Sequence, residues 1–132
     1  MQHPSLTRWE DKLDEMIKKV DKYLEDKHGH KFKLHPARPR RGETGNPRSN
    51  GLFGVSANFS LGLGSEKGKG YIIDVNMVTL ENVPIEEQED IEQEAMEKIN
   101  ELLPTFFPDA ELSASRDGNV IKIHGDISLG NV

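Results

Sequence analysis

Four arginines, Arg38, Arg40, Arg41 and Arg48, crowd into the stretch HPARPRRGETGNPRSNG, residues 35–51, with three prolines and one acid, Glu43. Each presents a planar fork of N–H donors that matches a carboxylate or a phosphate. From Lys27 to Asn50 there are seven lysines and arginines against that single glutamate, a net of +6. The whole chain is −6, so the remainder carries −12. An irregular segment of this length is uncommon and usually has a task. The sequence therefore marks Arg38, Arg40, Arg41 and Arg48 as anion-binding residues. Their partner would be an acidic protein surface, in the same chain or in a second copy, or an anionic small molecule.

Nucleic acid fits less well. An acidic chain repels a polyanion over about a Debye length, and no aromatic residue lies inside the loop to stack on a base. The chemistry left is recognition of carboxylate or phosphate.

A second group of polar residues follows from strand alternation. Asn58, Asp74, Asn76 and His124 fall on one phase of their strands, with Ser60 and Asp126, and together would form a patch able to hold a polar ligand. Asp74 with His124 is the pair that could support an enzyme acting on such a ligand. The sequence favours a binding domain over that alternative. No nucleophile stands in a triad-like arrangement, and no metal-ligand spacing accompanies the five histidines, so neither a metal nor a cofactor is expected. Gly62, Gly64 and Gly68 in GLGSEKGKG join two strands and do not open a helix, which removes the phosphate-loop reading. Ile72, Val78 and Leu80 share the phase of the polar patch and would suit a partner or dimer surface.

The elements that must carry these groups are legible from periodicity. Leu6, Trp9, Leu13, Met16, Ile17, Val20 and Leu24 recur at steps of three and four, predicting a helix over residues 6–28 with one apolar face. Thr7 and Glu10 suit a capping box, and Gly29 suits a left-handed C-cap. The in-phase Trp9 reads as core. In LFGVSANFSLGLG the period becomes two, with Phe53, Val55, Ala57, Phe59, Leu61 and Leu63 on one side. GSEKGKG turns the chain, and YIIDVNMVTL returns with Tyr71, Ile73, Val75 and Met77 inward. KFKL, residues 31–34, could add a short edge strand.

A second helix over 84–103 starts at Pro84 and carries Ile91, Ala95, Ile99, Leu102 and Leu103 on its apolar stripe. Eight acids, from Glu86 to Glu101, oppose the lone Lys98 on its other face, and Pro104 and Pro108 should end it. A last hairpin turns at Asp117-Gly118, with Leu112, Ala114, Ile121, Ile123 and Ile127 inward. The order αββαββ, with one apolar face per element, predicts an α+β fold in which two helices cover one face of a four-stranded antiparallel sheet.

At 132 residues the chain suits one domain, spanning 1–132. The absence of cysteine, of a secretory h-region and of a membrane-length apolar run points to a cytoplasmic protein that does not enter a membrane.

Overall fold

A computed structural model describes residues 4–45, 50–60, 70–117 and 120–125. The element order is α1 (Pro4–His28), β1 (Phe53–Ser60), β2 (Gly70–Met77), α2 (Ile85–Phe106), β3 (Leu112–Asp117) and β4 (Val120–Gly125). The four strands form one antiparallel sheet in the order β1-β2-β4-β3, so β1 and β3 are its edges. This is the α+β fold expected from the periodicities. None of the described helices is long and apolar enough to cross a membrane.

Both helices pack on the same sheet face. Leu13, Met16, Ile17, Val20 and Leu24 of α1 and Ile91, Ala95, Ile99 and Leu103 of α2 meet Phe53, Val55, Tyr71, Ile73, Ala114, Ile121 and Ile123. The strand residues are the phase assigned inward, and burying them supplies most of the drive to fold. Ser56, Asn58, Asp74 and Asn76 lie on the opposite phase.

Several local expectations need correction. Helix α1 begins at Pro4, not at residue 6, so Thr7 lies inside the helix and is not its cap. Proline at a first helical position lacks only an N–H that would have been unpaired anyway. Gly29 does not have positive φ, as the C-cap expectation required. Its lack of a side chain matters for another reason: a Cβ there would stand 2.6 Å from the Glu25 carboxylate. Helix α2 runs through Pro104 to Phe106, and the Phe107 N–H closes it on the Leu103 carbonyl at 2.8 Å. In the final turn a proline forfeits one hydrogen bond but leaves few beyond it to disrupt.

Residues 31–34 form no strand. The chain there only touches the end of the hairpin, where the His35 N–H reaches the Val78 carbonyl at 2.9 Å and the Lys33 N–H reaches Glu81 at 3.1 Å. Phe59 is 51% exposed instead of buried, and Val75 and Leu112 are half-buried. The path of α1 explains Phe59. The C-terminal half of α1 bonds to the outer edge of β1 through Asp21 and Glu25. Its N-terminal half leans away, where Trp9 stacks on Tyr71 of β2 at 5.0 Å and on Phe107 at 4.8 Å. The end of β1 is therefore left uncovered, and Phe59 rests edge-on against Tyr71. Leu61, Leu63, residues 64–69 of the turn, Gly118 and Ile127 lie outside the described residues.

Candidate functional site

The arginine loop is built against the C-terminal half of α1. Arg38 is a brace within it: its Nε donates to the Gly51 carbonyl at 3.1 Å, and its Nη2 donates to the carbonyls of Asn50 and Phe53 at 3.3 and 3.0 Å. Arg41 pairs with Asp26 of α1. Arg40 is exposed, and its carbonyl accepts the Glu43 N–H in a local turn. Arg48 lies outside the described residues. Asn50 ties the end of the loop to its middle, accepting the Gly42 N–H at 3.2 Å and donating to the carbonyl and hydroxyl of Thr44 at 3.1 and 2.7 Å. It is buried, as a side chain that satisfies several loop groups at once should be.

The acidic face of α2 is engaged by other cations. Glu94 takes Lys27 and the His28 Nε2, Glu87 takes Lys31 at 3.5 Å, and Glu92 takes Arg116 at 3.1 Å. Burial pushes the Glu94 carboxyl up, but the hydrogen bonds from Lys27 and His28 outweigh it and leave the carboxyl below its ordinary value. The same contact, aided by Tyr23, holds the Lys27 ammonium above its ordinary value.

Under the loop lie two carboxylates that periodicity did not single out. Glu25 accepts the N–H groups of Leu52 and Phe53 at 2.9 and 3.1 Å, and Asp21 accepts that of Val55 at 3.1 Å. Both are buried. They blunt the outer edge of β1, where open N–H groups would otherwise invite another strand. Gly51, at φ +74°, sits so close that a Cβ would meet the Glu25 carboxylate at 2.7 Å. Edge strand β3 is treated alike: Asn100 of α2 donates to the Ala114 carbonyl at 2.9 Å and accepts its N–H at 2.8 Å. The available signal was the spacing of Asp21 and Glu25, one turn apart and directly beside Val20 and Leu24.

Between α1 and the loop a cleft of about 340 Å³ remains open. Lys18, Lys19 and Lys22 line it from the helix, Arg41, Gly42, Thr44 and Gly45 from the loop, and Asp21, Glu25 and Asn50 from the interior. Glu15 is the other acid on its wall. Lys18 also pairs with Asp14 at 3.2 Å. Two of the three lining carboxylates are occupied by β1 amides, so the cations dominate the accessible wall. A concave, cation-lined wall beside exposed loop backbone can take a carboxylate or phosphate.

The residues of the sheet-face patch are divided. Asn58, Asp74 and Asn76 are exposed together on β1 and β2. His124 is on β4 and forms a 2.7 Å hydrogen bond with Ser115 of β3. Tyr71 pairs with Ile123 and Ile73 with Ile121, so continuing the register sets His124 level with Gly70. Asp74 is four residues further along the strand, roughly 13 Å. Asp126 lies outside the described residues. Lys122, midway on this face, is buried, and Gly70 leaves room for its stem, since a Cβ there would meet Lys122 Cε at 3.1 Å. The centre of the face is therefore covered instead of solvated. Of the apolar residues there, Ile72 and Val78 are half-buried and Leu80 is exposed.

Comparison with known proteins adds a family. A protein family described as "Uncharacterised protein" matches residues 4–125, from the first described turn of α1 to the end of β4. The chain belongs to this family. It is also similar to an "Uncharacterized protein" of Borreliella burgdorferi (strain ATCC 35210 / DSM 4680 / CIP 102532 / B31). The two are 40% identical over 106 residues, which is 80% of this chain and 83% of that relative. The matched family span takes in both helices, all four strands and the α1–loop cleft. No solved structure matches the chain.

Proposed function

We propose that this chain is a non-enzymatic binding domain whose α1–loop cleft takes an anionic group, a phosphate or a carboxylate. The carrying observation is the cleft wall, where Lys18, Lys19, Lys22 and Arg41 converge around about 340 Å³. Arg38 acts one step back, holding the loop against the start of β1 so that Arg41 and the loop backbone keep their places. Concavity favours a compact anion, or one acidic side chain of a partner, over a flat protein face. The sheet-face alternative has less support, because an enzyme using Asp74 and His124 would need one ligand to bridge roughly 13 Å.

Titration calorimetry with pyrophosphate, citrate and a short glutamate peptide tests this reading and separates the sources. Binding should weaken with added salt, and the Lys19→Glu, Lys22→Glu double variant should lose about tenfold or more in affinity. Absence of heat for all three probes at about 10 mM, well past millimolar affinity, would sink the proposal. So would equal binding by the double variant.

A further inference from the structure

The carboxylate caps on β1 stop halfway along its outer edge. Odd-numbered residues of β1 turn their N–H and C=O groups outward: Phe53 and Val55 donate to Glu25 and Asp21, and the Phe53 carbonyl accepts from Arg38. By the same alternation Ala57 and Phe59 turn theirs outward. α1 has leaned away by then, and among the described residues no side chain bonds to either of them. The lean also leaves a pocket of about 210 Å³ on the helix side of this open half, lined by Glu10, Leu13, Asp14, Ile17, Ala57 and Tyr71. Next to it stands the exposed ring of Phe59.

The open half carries none of the features that keep strand edges apart. Ser56-Ala57-Asn58-Phe59-Ser60 holds no charge and no proline, and its register with β2 runs on without a bulge. Protected edges usually have a lysine, a proline or a bulge. The same stretch is nearly symmetric about its centre. Laid antiparallel on itself, Ser56 meets Ser60, Ala57 meets Phe59, and Asn58 meets Asn58.

We infer that this edge pairs with the same edge of a second copy, antiparallel about a two-fold axis at Asn58. In that register Ala57 and Phe59 exchange N–H···O bonds with the partner's Phe59 and Ala57. The neighbouring registers fail. An axis at Ala57 needs the Val55 N–H, which Asp21 holds, and one at Phe59 needs residue 61, past the end of β1. Each Phe59 ring comes to lie on the helix side against the partner's Ala57, whose methyl leaves room beside Leu13 and Ile17. On the other face the Asn58 amides stand opposite each other in the closer, non-hydrogen-bonded kind of pair, where each can donate to the other. The caps at Phe53 and Val55 confine the pairing to this half, and the two-fold axis closes it at a dimer. So short an edge falls below the roughly 1,200 Å² that stable interfaces bury, so the dimer forms near millimolar concentration.

Sedimentation velocity and ¹⁵N spectra from about 20 µM to about 2 mM test the pairing. The protein should pass from monomer to dimer and no further, and the Ala57 and Phe59 amides should shift in step and exchange more slowly. Each chain carries −6, so added salt should strengthen the dimer by screening the repulsion between copies. Phe59→Ala should weaken it about tenfold. Asn58→Lys and Asn58→Glu should each keep the parent's fold and stay monomeric, yet associate when mixed, because the axis sets position 58 against itself. A parent still monomeric at about 2 mM, concentration-dependent shifts confined to residues outside β1, or a mixture of the two variants that fails to associate would each overturn the inference.

Discussion

Glu25 shows how one side chain decides more than its own position. Its carboxylate satisfies two N–H groups at the entry to β1 and is hemmed in by Gly29 and Gly51. Removing it leaves two buried donors without partners, each worth roughly 1–3 kcal/mol. Glu25→Ala should therefore lower unfolding free energy by about 3 kcal/mol in urea denaturation, far more than Glu15→Ala on the exposed flank of the same helix. Gly51→Ala should cost a comparable amount for two reasons. Its φ of +74° disfavours any side chain, and the new Cβ would press on the Glu25 carboxylate. Asn100→Ala removes both bonds to Ala114 at the opposite edge and should cost about 1–2 kcal/mol.

Between elements, two kinds of contact tie α1 into the fold besides apolar packing. The first caps the β1 edge. Hydrogen exchange should find the Phe53 and Val55 amides slow despite their edge position, and the Ala57 and Phe59 amides fast, because the carboxylate caps reach only the first pair. The Asp21→Ala, Glu25→Ala double variant should associate at high concentration by edge pairing, visible in light scattering. The second contact joins α1 to α2 through Lys27, His28 and Glu94. The folded-state pKa of Glu94 is depressed. Its contribution is therefore complete above its ordinary value of 4.5 and fades as pH falls below that, through the folded value. Denaturation from pH 6 to pH 3 should thus show a smaller acid loss for Glu94→Gln than for the parent, the difference appearing below about pH 4.5. Equal acid sensitivity would remove this contact from the account.

Over the whole molecule, the charge segregated along the chain is also segregated in space, though not as sequence suggested. In the loop, Arg38 meets backbone carbonyls and Arg41 meets α1, while α2 draws its cations from the end of α1, the segment after it and β3. α1 consequently borders two pockets of opposite character, a cationic one beside the loop and an acidic one beside Tyr71. Salt should weaken binding of an anion at the first.

The sequence by itself determined the elements and their inner faces. Apolar periods of 3.6 and 2 are local, and they identified both helices, all four strands and the phase that buries Phe53, Val55, Ile73, Ile121 and Ile123. Tertiary structure decided everything that depends on which elements become neighbours. Strand order put Asp74 and His124 on neighbouring strands, but the β2–β4 register set them four residues apart, which no single-strand pattern encodes. The tilt of α1 exposed Phe59 and opened the pocket at Tyr71. The partners of Arg38 are backbone carbonyls, which are the same at every residue and leave no trace in side-chain pattern. Asp21 and Glu25 read as two more charges on a highly charged helix. Their role appears only once an edge strand lies alongside, because a carboxylate has no cap to provide until there are open N–H groups within reach.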